Sequence, residues 1–369
     1  MKQITRQVHE FPERRDVVFV FGAGASYADG APLQKEILPI IMSGKVPDIE
    51  NSPTGKMVSE FITDNFAWDA QARAYPTLET VFGFLDYFIT QDEHLSSKYS
   101  NTMIRAIKEG LIKLIHFVIS EKTNRQAKVY QAFWDTIMEY NPNISILTLN
   151  YDTLLEEAFK SIYPETGYID YGIYFMNYEM DEKTGWVRPG RPYPTTGAQN
   201  PAPVKIMKAH GSLNWKYCNC CNQVLLTPWD TKINLFEGGF PGNYVPPAGS
   251  NKYQCPIDGS DLETLIIPPS HIKKISHPIV SQVLNQALRE IRLCRKVIFV
   301  GYSFPDADVH FKALFKKSLL SQKEIVVVNR NITDKLKFNY KSLSHEVRLI
   351  KSSFADFIGN GGITHHLTS

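Results

Sequence analysis

Residues 16–21, Asp-Val-Val-Phe-Val-Phe, form an unbroken apolar and β-branched run that stops at Gly22. No other feature constrains the fold as strongly. A strand with one wet face would alternate apolar and polar residues, so a continuous run predicts a strand buried on both faces, as in a parallel sheet. The glycine-rich end predicts a strand-to-helix turn. Beyond Pro32, the spacing of Leu33, Ile37, Leu38 and Ile41 predicts a helix and completes a βα unit. The same grammar returns later. Residues 144–149 read as a strand followed at once by a helix over 151–159, and 205–209 as a short strand. Residues 265–267 read as a return to the same sheet. The last third predicts a helix over 278–293, a strand over 296–300, a helix over 309–320 and a strand over 324–328. Alternating units of this kind specify an α/β, Rossmann-like doubly wound parallel sheet.

Two stretches interrupt the alternation. Residues 43–75 are polar and punctuated by Gly and Pro, and helical periodicity follows over 78–89, 102–119 and 128–140, so 43–140 is expected to be an inserted helical layer. Residues 163–204, rich in Tyr, Pro and Gly, predict hairpins and loops. Residues 215–262 carry most of the cysteines and predict a small irregular, zinc-ribbon-like module. The whole of 1–369 is expected to be one elaborated domain.

Forty Lys+Arg against 38 Asp+Glu leave a formal net charge of +2, which gives no electrostatic footprint for nucleic acid. No stretch approaches the roughly 18 uninterrupted apolar residues of a membrane span, and residues 1–13 have no apolar targeting segment. Five cysteines, three of them at 218, 220 and 221, suit free thiols or a metal rather than a disulfide framework. A reducing, cytoplasmic setting is the expectation.

Four strand ends carry the chemistry. Gly22-Ala23-Gly24-Ala25-Ser26 has the glycines that let backbone N–H groups approach a phosphate, but Tyr27 stands where a dinucleotide fingerprint has its third glycine. No strand-end acid follows at the distance where a dehydrogenase holds its ribose, which argues against a classical dehydrogenase. Asn150 and Asp152 follow the strand over 144–149, with helix capping as the competing role. His210, followed by Gly211, suits acid–base work at the end of 205–209, with a core histidine as the competing role. Gly301 and Ser303 follow the strand over 296–300, and Asn329 the last one, where ordinary turn residues are the alternative.

In this order the segments resemble the sirtuin family. The Asn-Tyr-Asp, His-Gly-Ser and Gly-Tyr-Ser-Phe forms are most similar to the sirtuin-like (Sir2-type) NAD hydrolases of bacterial anti-phage defence. The resemblance implies that Gly22, Ala23, Gly24 and Ser26 meet the NAD phosphates, that Gly301, Ser303 and Asn329 hold the adenosine half, and that Asn150, Asp152 and His210 surround the nicotinamide ribose. Asn150 would then position ribose and water, His210 serve as general base or hydroxyl ligand, and Asp152 orient its neighbours. Protein-deacylating sirtuins continue the first loop into a Gly-Ile-Pro-Asp-Phe-Arg type segment. Here Gly30-Ala31-Pro32 leads into Leu33-Gln34-Lys35. The expected activity is therefore hydrolysis of NAD to nicotinamide and ADP-ribose, with NAD-dependent deacylation or non-catalytic NAD sensing as alternatives. Deacylating sirtuins also carry zinc on two Cys-x-x-Cys knuckles. Cys218 and Cys221 supply the first here, and Cys255 with Asp258 a defective second, which leaves a zinc site or a metal-free relic. A hydrolase that drains a shared cofactor must be gated. The resemblance points to gating through a homo-oligomeric interface or through a partner ATPase of the same defence system. The helices over 78–140, whose apolar residues exceed what a sheet-covering layer needs, are the candidate contact surface, with packing on the sheet as the competing role.

Overall fold

The computed structural model describes residues 14–123, 126–163, 167–176, 202–227, 235–236, 255, 257–260, 262–268, 277–305, 308–319, 323–344 and 346–368. The chain divides into two compact units. Met1–Gly30, Arg125–Ser212 and Ser276–Ser369 make the first, and Ala31–Asn124 with Leu213–Ile275 the second.

The first unit is built on a seven-stranded sheet. Its strands are β1 (Val17–Phe21), β2 (Ile144–Thr148), β3 (Gly167–Asp170) and β4 (Ala202–Lys208). After β5 (Gly211–Tyr217), which passes into the other unit at Leu213, and that unit's β6 (Val224–Leu226) and β7 (Glu263–Ile266), the sheet resumes with β8 (Lys296–Val300), β9 (Glu324–Asn329) and β10 (Val347–Lys351). The order is β10-β9-β8-β1-β2-β4-β3, and every recorded pairing in it is parallel. From β1 the chain first builds outward on one side, through β2 to β4 and β3, and then crosses to the other side for β8, β9 and β10. The reversal beside β1 is the switch point, and in open α/β sheets the ligand crevice lies there, beyond the carboxyl ends of the strands.

Both faces of this sheet are covered, which explains why its central strands are apolar without alternation. Phe19 and Phe21 share one face, because side chains two apart on a strand point the same way. Phe21 lies 5.3 Å from Phe133 and 5.4 Å from Phe354, centroid to centroid, so the helices Lys128–Tyr140 and Phe354–Gly359 cover that face. Register pairs Val20 with Phe299, and Phe299 meets Phe315 at 5.1 Å and Tyr340 at 5.0 Å under the helices Val309–Ser318 and Asp334–Lys341. All five residues of each of β1, β2 and β8 are buried. At about 1.5–3 kcal/mol for each large apolar side chain removed from water, these three strands anchor the unit.

The second unit holds the helices Gln34–Ile41, Pro47–Asn51, Pro53–Asn65, Leu78–Gln91 and Asn101–Thr123, and a three-stranded sheet in the order β6-β5-β7. Strands β5 and β6 pair antiparallel.

The structure departs from the sequence reading at several points. Within 43–75, expected to be irregular, Pro53–Asn65 is helical: Ser52 Oγ accepts the Gly55 N–H at 2.9 Å, Pro53 takes the first helical position, and Val58, Phe61 and Ile62 are buried. The helix Lys128–Tyr140, grouped above with the insert, belongs to the first unit, where Tyr130, Phe133, Trp134 and Ile137 face inward. The division by contact falls at Ala31 and Asn124 rather than at 43 and 140. Residues 265–267 do not return to the large sheet, since β7 pairs into the small one. Between β2 and the helix Leu154–Ile162 the chain is irregular for several residues rather than helical at once. Most of the expected loop over 163–204 lies outside the described residues, and its described part yields the parallel pair β3 and β4. Beyond β9, a helix, β10 and two more short helices complete the unit. Among the described residues no helix is long and apolar enough to cross a membrane.

Candidate active site

One register row runs across the large sheet: Lys208 on β4 beside Thr148 on β2, then Phe21 on β1, Val300 on β8, Val328 on β9 and Ile350 on β10. Gly22, Gly301 and Asn329 follow this row by one residue, and Asn150 and His210 by two. Five residues singled out from scattered motifs thus stand on one edge, because parallel pairing aligns their strands. The ladder continues past the row. Gly22 N–H donates to Val300 O at 3.0 Å, Leu149 N–H to Phe21 O at 2.9 Å, Ala209 N–H to Thr148 O at 3.0 Å, and Gly301 N–H to Val328 O at 3.0 Å.

The two glycine loops lie against each other. Gly24 N–H donates to Gly301 O at 3.0 Å, and a Cβ on Gly24 would sit 2.7 Å from Gly301 Cα. Gly301 has φ +63, and a Cβ there would come within 2.3 Å of the Ala25 nitrogen. Loop-on-loop contact therefore demands these glycines whether or not a phosphate is bound. Ala23 and Gly24 are half-buried, while Tyr27, at the third glycine position, is exposed. Ser303 is exposed, and Phe304 beside it holds φ +59, a strained conformation for a bulky residue, with its ring buried against Tyr302 and Tyr340. Asn329 Oδ1 accepts the Asn331 N–H at 3.1 Å and so closes its own turn.

Asn150 is buried and held from three directions. Its backbone N–H donates to Thr148 Oγ1 at 3.1 Å, and its side-chain Nδ2 donates to Gly22 O at 3.0 Å and Ser26 Oγ at 2.9 Å. A carbonyl oxygen only accepts, which fixes the amide orientation. Both amide hydrogens are thereby committed inside the protein, and Oδ1, an acceptor, is the atom with which this side chain can meet a ligand. Ser26 has no exposed surface, so it reaches any ligand only through Asn150. Its oxygen lies 2.8 Å from the Tyr130 hydroxyl, and it also hydrogen-bonds Asp152.

Asp152 is buried beside an ion pair. Lys208, fully buried, donates to Glu156 Oε1 at 2.8 Å and to the Asp152 backbone oxygen at 2.5 Å. Burial pushes the Asp152 carboxyl above its usual range, Lys208 pulls it down, Glu156 pushes it up, and hydrogen bonds from Ser26 and the Leu154 N–H pull it down. The Leu154 bond, at 3.2 Å, gives Asp152 a share of the capping role as well. Asp29 supports the same network from behind: its two carboxylate oxygens accept the Val129 and Tyr130 N–H groups at 2.9 and 3.0 Å and cap a helix whose own N-cap, Ala127, has no side-chain donor or acceptor.

His210 is buried at the end of β4, with Nδ1 at 3.0 Å from Leu149 O. The carbonyl accepts, so Nδ1 carries the hydrogen and, in the neutral ring, Nε2 carries the lone pair. Asp308 Oδ1 stands 3.6 Å from Nε2, and Asp308 Oδ2 accepts the Tyr302 hydroxyl at 2.8 Å. The Phe311 ring packs edge-on against the imidazole at 5.0 Å. Asp308, His310, Tyr130 and Lys208 all bear on the two central residues, and none was chosen from sequence. Asp308 offered the one available signal, a strand-end acid directly after the Gly301 loop.

In the second unit Cys218, Cys221, Cys255 and Asp258 bring one donor atom each within 4.8 Å of one another. Cys221 Sγ is 3.5 Å from Cys255 Sγ, Cys218 Sγ is 3.3 Å from Asp258 Oδ2, and the Cys221 N–H points to Cys218 Sγ at 3.5 Å. Three sulfurs and a carboxylate at these spacings fit a tetrahedral zinc ion. Cys220 is exposed outside the cluster, and Cys294 is buried in the first unit.

A family model described as SIR2-like domain matches residues 144–338. No curated protein matches the chain in sequence. Among solved structures, Sir2Tm bound to a propionylated peptide is similar at 13% identity over 95% of this chain and 93% of that one, with a TM-score of 0.44. A Sir2 homologue in complex with NAD is similar at 14% identity over 98% and 96%, with a TM-score of 0.42. At such scores the likeness says nothing about substrate.

Proposed function

From the premise that the chain belongs to the SIR2-like domain family, we propose that it binds NAD at the carboxyl edge of the large sheet and hydrolyses the nicotinamide–ribose bond. The observation that carries this reading is the pairing on one edge of a buried amide with both hydrogens committed, Asn150, and a buried imidazole whose proton is held at Nδ1, His210. Both turn acceptors, Oδ1 and Nε2, to whatever donates there. Water and ribose hydroxyls are such donors.

In the proposed reaction the bond between ribose C1′ and the nicotinamide nitrogen breaks, and its electron pair leaves with the ring, which becomes neutral nicotinamide. No acid is needed for that departure. The oxygen of a water molecule bonds to C1′, and its proton passes to His210 Nε2 and on to solvent, leaving ADP-ribose. Asn150 Oδ1 orients the water or a ribose hydroxyl. Asp308, 3.6 Å from Nε2, stabilises the imidazolium formed in the step. Ala23 and Gly24 line the phosphate side, with Gly301, Ser303 and Asn329 toward the adenosine. In the second unit, Cys218, Cys221, Cys255 and Asp258 would hold a structural zinc ion, which supplies cross-linking there and no chemistry to the reaction.

Loss of the acidic, aromatic and arginine positions after Pro32 favours water over an acylated peptide as the acceptor, and with it a gated role in anti-phage defence, exercised through self-assembly or a partner ATPase. The test is incubation of the purified chain with NAD and mass analysis of the products. Nicotinamide and ADP-ribose are expected without any peptide. Turnover that requires an acyl-lysine peptide would replace hydrolysis by deacylation.

A further inference from the structure

His210, Asp308 and His310 each bring one donor atom within 4.8 Å of the others. Two of the three are already oriented as metal ligands are. A metal-bound histidine commonly donates its second ring N–H to a carbonyl, and a metal-bound carboxylate is itself held by an outer hydrogen bond. His210 Nδ1 donates to Leu149 O at 3.0 Å, and Asp308 Oδ2 accepts from the Tyr302 hydroxyl at 2.8 Å, so that Nε2 and Oδ1 face each other across 3.6 Å. A tetrahedral zinc ion with bonds of about 2.0–2.2 Å holds its ligand atoms about 3.3–3.6 Å apart, which is the spacing found here. His310 sits in the first turn of the helix Val309–Ser318, half-buried, with its ring centroid 6.4 Å from that of His210. Two imidazoles and one carboxylate select zinc and its transition-metal neighbours over calcium or magnesium.

We propose that His210, Asp308 and His310 form a second metal site, chemically unlike the thiolate cluster, which takes Zn²⁺ and when filled withholds His210 from NAD cleavage. Coordination places the Nε2 lone pair in the metal–nitrogen bond, so His210 can no longer accept a proton from water. Release of the ion restores it. The inhibitory half rests on the reading of His210 as proton acceptor. The binding half does not.

Cobalt separates the two sites, because thiolate-bound Co²⁺ shows intense charge-transfer absorption in the near ultraviolet and a site of nitrogen and oxygen ligands does not. Titration of the full chain with Co²⁺ is expected to show one equivalent with visible ligand-field bands and no accompanying charge transfer. Asp308→Asn and His310→Ala should each weaken that equivalent about tenfold or more and leave any thiolate-bound equivalent unchanged. Circular dichroism of both variants checks their folding. In parallel, the Zn²⁺ concentration that halves nicotinamide release should rise by a similar factor in His310→Ala. Absence of an equivalent without charge transfer, or its survival in both variants, overturns the site. Binding as described without inhibition overturns the inhibitory half. Binding as described with no nicotinamide released at any zinc level leaves the metal site standing and removes the hydrolase reading instead.

Discussion

Asn150 and His210 leave the sheet at the same height, yet their surroundings follow opposite rules. Around Asn150, donors meet acceptors in sequence. The Asn150 amide and the Tyr130 hydroxyl both donate to Ser26 Oγ, Ser26 donates to Asp152, and Lys208 bridges the Asp152 backbone and Glu156. Such a chain has one arrangement and holds it, since each bond polarises the next and none can move without stranding a buried group. Around His210, Nε2 stands 3.6 Å from Asp308 Oδ1, so the imidazole is placed beside a carboxylate whose attraction depends on the charge of the ring. Under the proposed reaction the difference would separate two tasks: a fixed frame that presents a single acceptor, and a responsive pair whose charge changes as the water proton is taken up.

Breaking the responsive pair should have the largest effect. His210→Ala is expected to lower the rate of nicotinamide release by about a hundred- to ten-thousand-fold, as for a lost general base, with little change in melting temperature. A melted variant with full activity after refolding would make His210 a core residue. On the frame side, Lys208→Met strands the buried Glu156 carboxylate and should cost about 3–5 kcal/mol in denaturant unfolding. Restoring most of that loss with Glu156→Leu in the same chain would show that the pair matters as a pair. Asn150→Ala should fall between the two tasks. Loss of a positioned group costs about a hundred- to a thousand-fold in turnover, while the stability change should stay near that of one or two buried hydrogen bonds. A variant that keeps its rate would show that Oδ1 meets nothing in the reaction.

The parts of this molecule legible in its sequence are those set by local pattern. Strands β1, β2, β8 and β9 announce themselves because burial on both faces removes the polar alternation, and strand-end residues such as Asn150 and His210 follow by position. Strand β10, with Arg348 and Lys351 exposed at the sheet edge, carries no such run and gives no signal in the sequence. Strand β7 pairs into the small sheet rather than the large one, which its sequence does not reveal because a short apolar run does not name its partner. Phosphate approach accounts for only part of the need for glycine at Gly22, Gly24 and Gly301, since their closest neighbours are each other's loops. Tyr130 and Lys208 were invisible for a different cause. Lysine is almost never fully buried unless paired, so Lys208 reads as a surface residue until Glu156, 52 positions away, is placed against it. Ser26 and Tyr130 are 104 positions apart, and neither residue type announces the contact.

The smallest expected effect falls on that last contact and tests the frame most finely. Tyr130 is fully buried, and burial pushes its hydroxyl well above the usual tyrosine range, with Asp152 pushing the same way, so it stays protonated and donates to Ser26. Tyr130→Phe removes one oxygen and leaves the ring packed on Phe21 and Phe354. Ser26 Oγ keeps the Asn150 donor and its own bond to Asp152, so no buried donor is stranded, and the stability loss should be about 0.5–1.5 kcal/mol. What changes is the restraint on Ser26, and through it the angle at which Asn150 presents Oδ1. If the network is a positioning device, turnover should fall severalfold while KM for NAD stays nearly constant, because the loss is felt in the reaction step more than in binding. A variant that loses stability by that amount with kcat unchanged would reduce Tyr130 to a packing residue and shorten the frame to Ser26, Asn150 and Asp152.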